Sequence, residues 1–138
     1  MERRDFIQKS ILTTAAVAGA GLASARTQAQ PGTREVYEFR VYHMRRNMKP
    51  LDNFFSKSFI PALNRMGVKN VGVFRETSMT EPAKVYTLIP YTSFEEFGRI
   101  SMTLKSDEDF AKASNDYNNI PMDQSVYERF DSSLLLAF

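Results

Sequence analysis

The chain predicts one α+β domain with strands and helices in the order βαββαβ. Three observations carry that expectation. A strand-like run extends from Glu35 to His43, two stretches repeat apolar residues at spacings of three and four, and further short β-rich runs are bounded by Gly and Pro. A length of 138 residues leaves room for a single core. With 43% hydrophobic and 25% charged residues the composition is that of an ordinary globular protein.

The first element is a leader rather than part of the fold. Arg3-Arg4-Asp5-Phe6-Ile7 pairs two arginines before an aromatic and an aliphatic residue, and an apolar run from Ile11 ends at Ala23-Ser24-Ala25, a small-x-small cleavage pattern. Residues 1–25 therefore resemble a twin-arginine (Tat) export signal, although Glu2 and Gln8 depart from its usual residues. The apolar run is too short to cross a bilayer, which takes roughly 18 residues or more, so no stable membrane anchor is expected after cleavage. The expected location is periplasmic or secreted. Residues 26–33, rich in Gln, Pro, Gly and Thr, form a linker, and 34–138 form the domain.

The run Val36-Tyr37-Glu38-Phe39-Arg40-Val41-Tyr42 suits a central strand with unlike faces. Tyr37, Phe39 and Val41 make an apolar face, expected to lie under helices. Val36, Glu38, Arg40 and Tyr42 make a semi-polar one, expected to meet a cavity or a partner. Lys49-Pro50 opens a helix whose stripe is Leu51, Phe54, Phe55, Phe59, Leu63 and Met66. Pro61 should bend or split it at Ile60, and Gly67 closes it. Val68 to Glu76 reads as the second strand and Val85 to Ile89 as the third, ended by Pro90. Ser93 and Glu96 have capping-box spacing for a second helix with Phe94, Phe97, Ile100 and Leu104 as its stripe. A helical turn restarts near Asp107 and carries Phe110, Ala113 and Tyr117. The runs Val126–Phe130 and Leu134–Phe138 then form the last strand. This order is the ferredoxin-like split βαβ plan, with a four-stranded antiparallel sheet covered by helices on one face only.

The composition excludes several functions. The absence of cysteine removes disulfides, thiolate metal sites and cysteine-linked haem, and a single histidine argues against structural zinc. Residues 34–138 and the linker hold 15 basic against 14 acidic residues, without the clustered positive charge of a nucleic-acid footprint. No nucleotide loop, serine elbow or metal-ligand spacing occurs, so the sequence calls for no cofactor and no metal.

Arg34–Tyr42, Phe59–Gly67, Val71–Phe74, Val85–Tyr91 and Tyr127–Arg129, in that order, resemble the NipSnap family. The resemblance covers about Arg34 to Phe138 and implies a subunit of the dimeric α+β-barrel class, in which two sheets face each other. It implies no settled activity. Exported bacterial relatives often carry two such units in tandem, so two partners are expected for the sheet: a second copy in a homodimer, or a second unit of a longer chain, to which the apolar end at Phe138 also points.

The candidate ligand-binding residues are Arg40, Tyr42, His43, Tyr86 and Arg129. Arg40 and Arg129 can pair with Glu38 and Glu128 or grip a ligand carboxylate. Tyr42, Tyr86, Tyr91 and Tyr127 can line an amphipathic pocket or simply fill the core. His43 needs an orienting carboxylate to act as a base, and Arg45, Arg46 and Lys49 are either a solvated loop cluster or an anion contact. The leading expectation is a module that binds a small apolar or amphipathic ligand between sheets. The alternative is a cofactor-independent monooxygenase-like or haem-handling enzyme, which rests on analogy of fold.

Overall fold

Strand β1 (Val36–Met44) runs through the middle of an antiparallel sheet in the order β2-β3-β1-β4. The computed structural model describes residues 34–45, 47–78 and 81–138; the leader and linker expected at 1–33 lie outside them. Element order is as the sequence predicts. After β1 come α1 (Lys49–Phe54), a π-helical turn (Phe55–Phe59), α2 (Ile60–Arg65), β2 (Gly72–Arg75) and β3 (Lys84–Tyr91). There follow α3 (Phe94–Ser106), α4 (Glu108–Ala113), α5 (Asn115–Asn118) and β4 (Tyr127–Leu136). Phe39 stands opposite Leu88 on β3 and Ser133 on β4, which fixes the register across the sheet.

The first helix neither stops nor kinks freely at Pro61. A proline there lacks the N–H that a regular α-turn requires and crowds the carbonyl four residues back. The chain answers by widening one turn before it: the Ile60 N–H bonds to the Phe55 carbonyl, five residues back, and Pro61 then sits in the first turn of α2. Leu51, Phe55, Phe59 and Leu63 are buried as the stripe requires, with Phe54 and Met66 half-buried. At the far end Gly67, at φ 97°, donates to Asn64 O (3.2 Å) and Val68 N donates to Leu63 O (3.0 Å), a Schellman closure with buried Val68 against the helix.

The faces of β1 are the reverse of expectation. Val36, Glu38, Tyr42 and Met44 are buried, and Tyr42 meets Phe55 edge-on at 5.5 Å, so the helices cover this side. Tyr37, Phe39, Val41 and His43 remain half-buried on the helix-free side. Apolar count favoured covering Tyr37, Phe39 and Val41. What decided otherwise is that the acid and the base on the other face satisfy each other and can therefore be buried.

Smaller departures have local causes. β2 begins only at Gly72, because Asn70 takes a left-handed φ of 60° that breaks an extended run from Val68. β3 continues through Pro90 to Tyr91. β2 pairs only with Val85 to Leu88, so Pro90 borders an edge where a missing N–H is tolerated. Phe94, placed in the core stripe by its spacing, is 52% exposed, while Ile100 from the same stripe is fully buried. Ser93 caps α3 as expected, accepting from Glu96 N at 3.1 Å, but the Glu96 carboxylate reaches one residue further back, to Thr92 N at 2.6 Å.

Candidate functional site

The sheet separates two polar groupings. On the helix side, Arg40 grips Glu38 with two bonds, Nε to Oε1 at 2.7 Å and Nη2 to Oε2 at 3.0 Å. Tyr91 OH and Ser132 Oγ also donate to Glu38, at 3.3 and 2.8 Å. The guanidinium lies over the Phe59 ring at 5.0 Å and the Phe130 ring at 5.7 Å, so the π-helical turn supplies one aromatic face of the arginine's slot. Burial works against the Arg40 charge, but the bonds to Glu38 prevail and hold its pKa above the ordinary arginine value. Tyr42 completes this group, with Arg40 Nη1 donating to its hydroxyl at 3.4 Å. Of the five candidate residues, Arg40 and Tyr42 thus belong to the sheet–helix layer.

Burial also raises the phenol pKa of Tyr42, Tyr91 and Tyr117. In the unfolded chain these groups ionise near pH 10, whereas the folded chain still holds their protons there. Stability from this source is therefore complete below about pH 10 and declines as pH rises above it. Urea midpoints measured at stepped alkaline pH should fall from about pH 10 upward, and less steeply in Tyr117→Phe. A midpoint that stays level to about pH 11 would contradict this.

On the helix-free side, His43 and Arg129 come together with a residue that sequence reasoning missed, while Tyr86 shares the face without touching them. His43 Nε2 lies 2.8 Å from Asp131 Oδ2, and Arg129 Nη2 lies 3.6 Å from the same oxygen and 3.4 Å from the imidazole. Arg129 pairs with Asp131 rather than Glu128. The cause is a β-bulge beside His43: His43 faces Arg129 but Met44 faces Tyr127, so Glu128 is the extra residue. The bulge turns Tyr127 toward the helix side, edge-on to Tyr42 at 5.5 Å, and ends the open-face row at Arg129. A signal for Asp131 existed only in the strand pairing, since it stands opposite Val41, the same-face neighbour of His43 two pairs along. Tyr86 stacks on Phe39 at 6.0 Å with an interplanar angle of 16°, and its hydroxyl donates to Glu76 at 3.0 Å, which raises its pKa.

Around these polar groups the open face is apolar. Phe74 from β2, Tyr86, Leu88 and Pro90 from β3, Phe39 and Val41 from β1 and Leu135 from β4 share it. Phe74 is 54% and Leu135 48% exposed. Gly72 leaves room for the Phe74 ring, which would lie 2.6 Å from a Cβ at that position and would have to swing aside. At one end of the sheet Arg45 and Lys49, with Arg75, Asp52 and Glu81, line an open groove of about 400 Å³; Arg46 of the expected basic cluster is outside the described residues. Among the described residues no helix is long and apolar enough to cross a membrane.

A four-stranded antiparallel sheet in this order, with helices on one face and an apolar, uncovered second face, is the α+β fold of the ferredoxin-like βαββαβ plan. Solved structures that share it include NipSnap proteins. A NipSnap family protein from Agrobacterium tumefaciens is 17% identical, with 77% of this chain and 88% of that one matched and a TM-score of 0.58. A NipSnap-like domain protein from Burkholderia xenovorans is 21% identical over 75% and 85% of the two chains, also with a TM-score of 0.58. A second A. tumefaciens NipSnap family protein, described as of unknown function, is 12% identical over 77% and 90%, with a TM-score of 0.57. No family model and no curated protein matches the chain by sequence. The resemblance read from the residues holds as a statement of fold, and these identities carry it no further.

Proposed function

We propose that this chain is an exported binding module whose sheet faces a second sheet, from another copy or from a second tandem unit, and encloses a small apolar or amphipathic ligand between them. The observation that carries the reading is the helix-free sheet face. Phe39, Val41, Tyr86 and Leu88 line it, Phe74 and Leu135 are about half exposed, and a polar group sits at one end. Apolar area of this kind on a sheet is stabilised by a facing layer, and a cavity between two such layers has the mixed walls of a small-molecule site.

A native mass spectrum of the purified 26–138 form tests it. A dimer carrying extra mass is expected, with Phe39→Arg converting it to a bare monomer. A wild-type monomer with no bound mass at micromolar concentration would sink the homodimer version. Export rests on the paired arginines of the leader. Replacing Arg3 and Arg4 together by lysine should leave full-length precursor in the cytoplasm, and normal cleavage and export of that variant would remove the twin-arginine assignment.

A further inference from the structure

We propose that a groove in the helix layer, between α1 with its π-helical turn and the α4–α5 junction, binds an aliphatic monocarboxylic acid. The carboxylate lies at Lys49 and Lys57, and the chain runs along Phe54, Tyr117 and Ile120 toward Met122. This site is across the sheet from the helix-free face and does not depend on what covers that face.

The groove has a volume of about 310 Å³, and its two banks are tied together. Buried Ser58, on the π-helical turn, donates to the Ala113 carbonyl at 2.6 Å. Buried Ser114 joins α4 to α5: its hydroxyl donates to Phe110 O at 2.7 Å and accepts from Asn118 Nδ2 at 2.9 Å. Phe54 and Tyr117 stack across the floor at 4.2 Å with an interplanar angle of 17°. The Tyr117 hydroxyl is hydrogen-bonded to Tyr127, so what Tyr117 offers the groove is its ring.

The rim sets the charge of the ligand. Lys49, Lys57 and Asp116 are the charged residues lining the groove, and among the described residues none of their side chains is in an ion pair or hydrogen bond. Two ammonium groups against one carboxylate leave a surplus of one positive charge. Charges beyond the rim do not reverse it: Arg75 holds Asp52, Lys112 balances Asp109 on α4, and Arg45, bonded through its backbone to Val126, balances Asp123. That surplus complements a carboxylate, ionised once at neutral pH, better than a phosphate monoester, which carries nearly two charges. Asn47 adds a neutral donor, since its Oδ1 accepts from Lys49 N at 2.9 Å and its amide N–H groups are left over.

The second hollow defines the rest of the ligand. About 220 Å³ in volume, it adjoins the first across Tyr117 and Ile120, and no charged residue lines it. Buried Val126 forms part of its wall, and Met122 beside it is 93% exposed, an adaptable thioether chain left in water. An anionic head with one flexible apolar chain fits the charged hollow and the uncharged one together.

The probe is decanoate, titrated calorimetrically into the 26–138 protein at low ionic strength, with hexanoate and octanoate as shorter members of the series. One site per chain is expected, with affinity that rises about two- to fourfold per methylene and falls as salt is added. Decyltrimethylammonium, the same chain with the opposite charge, should bind about tenfold more weakly or worse. Replacing Lys49 and Lys57 together by glutamine should weaken decanoate about three- to tenfold, and Met122→Ser should flatten the rise with chain length. All three side chains are exposed, so thermal midpoints should stay near wild type. Phe39→Arg, on the other side of the sheet, should leave decanoate binding unchanged. The proposal is overturned by no binding, by affinity indifferent to chain length, by undiminished binding in the double lysine variant, or by loss of binding in Phe39→Arg. The last result would put the acid on the helix-free face and support the reading of that face, whereas no decanoate binding beside a ligand-bearing dimer would remove this groove alone.

Discussion

Replacing Arg40 by alanine should lower the unfolding free energy by about 3–5 kcal/mol, because it leaves the Glu38 carboxylate buried without its counter-charge. Glu38 is 5% exposed and holds three donors, Arg40, Tyr91 and Ser132; the arginine supplies the only formal positive charge among them. Glu38→Gln should cost less. A glutamine still accepts from Tyr91 and Ser132, and the Arg40 side chain, 20% exposed against 6% for Glu38, retains some contact with water. The double variant should be more stable than Arg40→Ala alone, since the stranded charge is gone. Urea denaturation of the three proteins decides this: an Arg40→Ala loss under about 1 kcal/mol, or a double variant weaker than both singles combined, would show that the pair does not behave as a buried ion pair.

Leu63→Ala should cost about 2–5 kcal/mol, toward the upper end. Leu63 is fully buried, and the backbone around it is pinned: the π-helical turn precedes α2, and the Gly67 closure follows with Val68 N bonded to the Leu63 carbonyl. A helix held at both ends cannot easily move in to fill the cavity. For a domain of this size each kcal/mol lowers the thermal midpoint by about 4–8 °C, so the variant should melt well over 8 °C below wild type. Phe94→Ala is the matched control, since half its surface already meets water and its loss should fall within about 0.5 kcal/mol. Equal shifts for the two variants would mean that burial, as described for α2 and α3, does not govern stability here.

Both predictions depend on which face of β1 is covered, and that is where reading the sequence stopped. Element order, the helical stripes, the Gly67 closure and the Ser93 cap were legible because each depends on residues within a few positions of one another. The Arg40–Glu38 pairing was legible too, being two residues apart on one strand. Asp131 was not. Its place beside His43 depends on the register between strands 88 residues apart and on a bulge that no local pattern announces.

Period-two and period-three-to-four patterns already specify a four-stranded α+β sheet with two unlike faces, because they record what each segment can bury. Long-range packing sets the helices over Glu38 and Arg40 and leaves Phe39, Val41, Tyr86 and His43 on the open side. A charged pair that neutralises itself is as fit for burial as an apolar row, and only the packing of α1 and α2 against β1 chooses between them.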